Sequence, residues 1–396
     1  MIATPHAERQ QLPLRVVLLW LGVTLAAGLL LKAPCARPGP ASERSIGVLC
    51  YTDIVPLYGA EGLSERRVPY FDARNEYPIL TGAWMYATSL PVTSSGSFFL
   101  VNAAGLAVLA AVTTVALYRA VGSRALYFAA APSLLLYGFL NWDLLALTLG
   151  ALGTLAFLDR REIRAGILLG LGTAAKVFPA LFVVPFAWEL RRRGAPAEGS
   201  RLVGSSAGAW LLVNLPVALL AFQGWTYFFR FNSERGVNEG TIWFVFCNGF
   251  GSCRNPLFAR ILPLVAFLAG SVLALRWAIR RAPERARWTL AFPLLIVFLL
   301  TTKVYSPQYD LWLLPWFALV WPRIRPFAFF QATSIAVYFT TFSWMARDFG
   351  GTGLPLWTVE AAVVARAAAL LTCLIWFIAQ RSDADLDGRT ALEISG

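Results

Sequence analysis

Asp53 follows Cys50-Tyr51-Thr52 and precedes Ile54, just after the first long apolar run of the chain. A carboxyl held near a membrane surface and partly desolvated is pushed up from the ordinary carboxylate range, toward values useful to a general base. The plainer reading of Asp53 is a loop residue that makes a turn or caps a helix. Glu76-Tyr77-Pro78 supplies a second carboxylate, which could equally cap a helix starting at the proline. Thr302 to Tyr309 gathers Lys303, Tyr305, Ser306, Gln308 and Tyr309 around Pro307, which ends a helix. That concentration of donors around one fixed cation suits an anionic phosphate at a bilayer surface. The alternative is a snorkelling lysine in an aromatic belt, but a belt does not need Lys, Ser and Gln together. Lys176 lies inside an apolar run. A charge at membrane depth costs roughly 2.5–3.5 kcal/mol and asks for a partner, here a lipid phosphate or Asp143. The stretch Ser233 to Trp243 combines Arg235, Glu239 and Trp243, a mixture that fits a sugar or headgroup surface as well as a solvated loop.

Much chemistry is excluded. The single histidine is His6, which removes Ser-His-Asp and Cys-His nucleophiles, His-ligated metals and haem ligation. No residue cluster calls for a metal or another cofactor. Gly166, Gly170 and Gly172 precede Lys176 without the strand or the Gly-Lys-Ser/Thr of a phosphate loop, and read instead as close helix packing. The five cysteines pair by position, Cys35 with Cys50 and Cys247 with Cys253, as loop-local disulfides or as free thiols, with Cys373 in the last apolar run.

The elements that carry these groups are membrane helices. Of 396 residues 58% are apolar and only 14% charged, against roughly 25% charged in soluble domains. The net charge of +12 fits the positive-inside rule rather than nucleic acid. The expected architecture is an all-α polytopic integral membrane protein, one membrane domain over residues 1–396. Both termini are expected in the cytoplasm, with a tail at 380–396. Residues 32–96 form a first extracytoplasmic loop with a short surface helix at 78–90, and 223–256 a second, polar one. Residues 125–140 read as one outward segment and 311–321 as one inward segment. Residues 165–190 lie between two Arg clusters and are too few for two crossings. They read as two short helices dipping in and out around Lys176–Pro179, or as one long helix with the Arg triplet outside.

Taken in order, several segments resemble glycosyltransferase family 87, GT-C-type mannosyltransferases of actinobacterial membranes. They are Tyr51-Thr52-Asp53-Ile54, Glu76-Tyr77-Pro78, Gly170-Leu171-Gly172 through Lys176-Val177-Phe178-Pro179, Arg235-Gly236 with Glu239 and Trp243, and Lys303 to Tyr309 with Trp312-Leu313-Leu314-Pro315. The resemblance implies a GT-C-like bundle of about 10–12 spanning or re-entrant helices in the plasma membrane. It implies inverting transfer of a sugar, mannose above others, from a polyprenyl monophosphate to a hydroxyl of an envelope glycolipid or glycan, at the extracytoplasmic face and without a cofactor. Asp53 would be the catalytic base. Lys303, Tyr305, Gln308 and Lys176 would hold the donor phosphate, and Glu76, Tyr77, Arg235, Glu239 and Trp243 the sugar or acceptor. The partners implied are the bilayer, the lipid-linked donor and the acceptor. The rival is a transporter or lipid flippase. It would share the dipping helices and the buried lysine, but matching interrupted segments in two halves are missing.

Overall fold

The computed structural model describes residues 11–36, 49–251, 253 and 255–380. His6, the 381–396 part of the tail and residues 37–48 of the first loop lie outside the described residues. Among the described residues the chain is helical throughout, and five helices are long and apolar enough to cross a membrane. The fold is that of an all-helical polytopic membrane protein.

Helix α1 (Leu14–Lys32) is the first crossing. Two short helices follow, α2 (Ile54–Ala60) and α3 (Ile79–Ser89), then α4 (Ser95–Val121). A reciprocal Ser94–Ser97 capping box starts α4, satisfying two end donors that lack intrahelical partners. The single segment expected over 125–140 is instead broken into α5 (Leu126–Ala129) and α6 (Pro132–Tyr137). Pro132 forces Ala131 out of the helical region and opens the break. Helix α7 (Asp143–Leu158) leads to α8 (Glu162–Ala175) and α9 (Ala180–Arg192), which are interrupted at Lys176–Pro179.

This pair doubles back. Phe157 stacks on Phe186 at 4.4 Å and Arg193 lies over the Phe157 ring, so both feet stand beside the end of α7. The turn reaches the opposite end of α7, where Lys176 meets Asp143. At 1.5 Å per residue, 14 residues rise only about 21 Å, short of the roughly 30 Å hydrocarbon core. Helix α8 is therefore too short to cross by itself, and the chain turns back at Lys176–Pro179. Helix α10 (Pro196–Leu220) packs closely on α8. A side chain at Gly166 or Gly170 would meet α10 backbone oxygens at 2.4 Å or 2.2 Å.

The stretch expected as a polar loop over 223–256 contains two helices. They are α11 (Phe222–Glu234) and α12 (Ile242–Gly249). Helix α11 is amphipathic and has no buried residue, and Trp225 is tied to Asn214 of α10.

Helix α13 (Leu262–Arg281) and α14 (Ala291–Thr301) follow. The inward segment expected at 311–321 is a 3₁₀ stretch at Pro307–Leu313 that continues into α15 (Leu314–Leu319). Helices α16 (Ile324–Asp348) and α17 (Leu356–Ala379) pack together and close the bundle. At one end Arg192 binds the carbonyl oxygen of Arg285, and Arg285 binds that of Gln380. The residues singled out for chemistry gather at the other end.

Candidate active site

Asp53 stands at the start of α2. Its N–H donates to the Leu140 carbonyl oxygen at 2.9 Å, and the Thr52 hydroxyl donates to that of Phe139 at 2.8 Å. Residues 52–53 are thus fixed to the turn between α6 and α7. The Tyr51 hydroxyl donates to Asp53 Oδ1 at 2.8 Å, and Asn141 Nδ2 donates to Oδ2 at 2.7 Å. The same Asn141 amide reaches the Tyr77 hydroxyl at 2.8 Å. Each carboxylate oxygen therefore has one donor and keeps accepting capacity, and the side chain stays partly exposed. Burial pushes the Asp53 carboxyl up, opposed by the hydrogen bonds from Asn141 and Tyr51 and by the charge of Lys176. Behind it, Lys32 at the end of α1 donates to the Tyr51 carbonyl oxygen at 2.7 Å and to the Tyr338 hydroxyl at 2.8 Å. Cys35 and Cys50 are disulfide-bonded, which ties the end of α1 to the residue before Tyr51.

Lys176 faces the same space. Its Nζ lies 2.8 Å from Asp143 Oδ2, and the other oxygen of Asp143 accepts from Trp312 Nε1 at 2.7 Å. Of the two partners weighed for Lys176, the described chain supplies Asp143. The ammonium is ringed by Tyr309, Tyr77 and Trp312 at 4.9, 5.9 and 5.9 Å from their centroids. Its side chain keeps 16% of its surface exposed, so the ammonium is not sealed on every flank. Helix α3 braces this corner, because the Thr81 hydroxyl donates to the Ala175 carbonyl oxygen at 2.8 Å.

A second group of charges lies around Glu76 and Arg235. Burial raises the Glu76 carboxyl, while Arg235 and Lys176 lower it and Asp53 raises it. Burial and the nearby Arg260 and Arg235 push the Lys303 ammonium down. Lys303 Nζ donates to the Ser233 and Arg235 carbonyl oxygens at 3.1 and 2.9 Å, capping the last turn of α11 and committing two of its three protons. Trp243 Nε1 donates to the Thr301 carbonyl oxygen at 2.7 Å, which fixes α12 to the end of α14. Glu239 is half-buried on the turn between α11 and α12.

Tyr305 and Gln308 face inward. The Tyr305 ring is buried and its hydroxyl donates to the buried Asp310 at 2.5 Å. Gln308 is likewise buried. Both were expected to bind phosphate as surface donors. The geometry brings Asp53, Tyr77, Asn141, Lys176 and Glu76 together, with Arg235 and Lys303 adjoining, and leaves Tyr305 and Gln308 behind the wall. Sequence reasoning missed Asn141, Arg260, Lys32 and Arg366. Only the last two carried a signal, as charges within long apolar runs.

A family model for glycosyltransferase family 87 matches residues 77–307. The chain belongs to glycosyltransferase family 87. It is a membrane glycosyltransferase, and the matched stretch carries Tyr77, Asn141, Asp143, Lys176, Arg235 and Lys303, while Asp53 precedes it. Among solved structures this family 87 protein is similar to ArnT from Cupriavidus metallidurans bound to undecaprenyl phosphate. Identity is 14% and the TM-score 0.48, over 93% of this chain and 77% of that one. The apo ArnT structure gives 14% identity and 0.48, over 94% and 79%. No curated protein sequence matches the chain.

Proposed function

We propose that the protein transfers a sugar, mannose in our reading, from a polyprenyl monophosphate to a hydroxyl of an envelope glycolipid or glycan, with inversion, at the extracytoplasmic face. Membership of family 87 supports a lipid-linked donor, and the clustering of basic residues at the opposite end of the bundle supports this orientation. The observation that carries the chemistry is the closeness of Asp53 and Lys176, a carboxylate and a cation held by separate elements: Tyr77 packs its ring against the Lys176 ammonium and shares the Asn141 amide with Asp53. Asp53 takes the acceptor proton as the hydroxyl oxygen bonds to the anomeric carbon. The anomeric carbon–oxygen bond to phosphate breaks, and its electron pair leaves on the phosphate oxygen. Lys176 is placed to stabilise that oxygen, with its own position fixed by Asp143. Arg235, with Lys303 and Arg260 close by, offers a cationic entrance for the phosphate. Tyr305 and Gln308 serve this site by supporting the wall behind it. Tyr77, Glu76, Glu239 and Trp243 are the proposed sugar and acceptor side.

The test uses the purified protein in phospholipid vesicles with undecaprenyl-phosphate mannose and a lipid extract of envelope acceptors. Release of undecaprenyl phosphate with a matching gain of one hexose on an acceptor is expected. Movement of the intact donor between leaflets without sugar transfer would overturn the assignment and favour a flippase.

A further inference from the structure

Arg366 lies in the middle of α17, a long membrane helix whose one other charge is Glu360 near its start, and is 1% exposed. Burying that charge costs several kcal/mol unless it is used, and an apolar residue of similar size would hold two helices together as well. Its two arms go to different places. One lies 3.5 Å from Oδ1 of the fully buried Asp310, and the other donates to the Gly240 carbonyl oxygen at 2.7 Å. The guanidinium lies over the Tyr305 ring, 3.7 Å from its centroid. The Tyr305 hydroxyl donates to the same Oδ1 of Asp310, and Ser334 of α16 donates to its Oδ2.

Gly240 belongs to the turn that presents Arg235, and that turn is stitched to the Lys303 segment at every step. Asn238 N–H donates to the Lys303 carbonyl oxygen at 2.9 Å, and Lys303 Nζ returns to Ser233 and Arg235. A side chain at Gly240 would meet the Tyr305 carbonyl oxygen at 2.3 Å, so the two strands of chain touch there. Arg366 grips both at that joint, one by hydrogen bond and the other by its ring.

We infer that Arg366 is a positioning residue for anion recognition. From inside the membrane helix it sets the register between the Arg235 turn and the Lys303 segment, and so holds the outer cations where a prenyl phosphate enters. Arg366 touches no substrate. The inference rests on the proposed donor, and its test separates the two.

Arg366→Lys keeps a cation beside Asp310 but has no second arm for Gly240. Gly240→Ala disturbs the same joint from the loop side and leaves every charge in place. Each is compared with wild type for binding of undecaprenyl phosphate in nanodiscs, for hydrogen exchange over residues 233–243, and in combination with Arg235→Ala. Loss of a charge-assisted hydrogen bond corresponds to about 10-fold weaker binding or more, with faster exchange in 233–243. The acid limb of the transfer rate should stay where it is in wild type. Because Arg366 acts through the Arg235 turn, adding Arg366→Lys to Arg235→Ala should weaken binding less than the product of the two single losses. Unchanged exchange in both variants would overturn the inference, and so would fully multiplicative losses in the double variant. Wild-type protein that ignores undecaprenyl phosphate while both variants loosen 233–243 would refute the donor and leave the positioning role standing.

Discussion

Lys176→Met and Asp143→Asn test whether the cation beside Asp53 is an integral part of the wall or a snorkelling side chain. At 2.8 Å the pair's Coulomb energy is about 6 kcal/mol for an effective dielectric constant of about 20. Desolvation offsets much of it, because Asp143 is almost fully buried and Lys176 mostly so. Removing one member of such a pair typically costs about 3–5 kcal/mol, and the open flank of Lys176 puts this one toward the lower end. Lys176→Met leaves Asp143 with Trp312 Nε1 as its remaining donor. Asp143→Asn keeps an acceptor for Trp312 but strands the ammonium among Tyr77, Tyr309 and Trp312. The double variant removes both charges and should recover much of the stability lost in either single variant. Thermal unfolding of the four purified proteins in one detergent gives the cycle, and transfer rates measured in parallel should stay low in the double variant, since the leaving phosphate has lost its cation. Losses in stability that simply add in the double variant would refute the coupling. Full activity in the double variant would remove Lys176 from the chemistry.

The Tyr51 hydroxyl lowers the Asp53 carboxyl by hydrogen bonding to it, so Tyr51→Phe should move the acid limb of the rate profile to higher pH, read from initial rates across pH. Glu61 is buried and its carboxyl is pushed from 4.5 up to about 7 by burial first and Glu76 second. The folded state thus holds a proton that the unfolded state has released, and this contribution to stability is lost as pH rises from about 4.5 through 7. Glu61→Gln should flatten the fall in melting temperature over that window. The Cys35–Cys50 bridge closes 15 residues and the Cys247–Cys253 bridge 6, so replacing the first pair by serine should lower the melting temperature more. It should also lower turnover, because it frees the anchor of Tyr51.

Hydropathy and charge made the long helices legible, since α1, α10, α13 and α17 each carry enough apolar length to cross. The interruption at Lys176–Pro179 was readable because residues 165–190, between two Arg clusters, are too few for two crossings, and a single crossing would put the Arg triplet outside. The break at Pro132 is marked in the sequence by the proline, but the apolar residues on both sides of it read as one continuous segment. Helix α11 was hidden because its amphipathic face looks polar on average. At the site, Asp53 and Lys176 could be picked out as charges in apolar surroundings. Asn141 could not, because a single amide in a turn has no pattern and acquires meaning only when folding sets it between Asp53 and Tyr77. Tyr305 shows the converse. Its neighbours suggested an exposed donor cluster, but Arg366, 61 positions further along the chain, draws it inside.

The central claim is that Asp53 accepts the proton from the attacking hydroxyl. Asp53→Asn keeps the size of the side chain and an oxygen that can still accept a hydrogen bond from Tyr51, but it cannot take a proton. Single-turnover transfer from undecaprenyl-phosphate mannose, with donor binding measured on the same preparations, tests it directly. The account predicts a rate lower by about 10²–10⁴-fold, donor affinity close to wild type, and loss of the acid limb. A rate within a few-fold of wild type would contradict it, and the base would then be sought in Glu76 or Glu239.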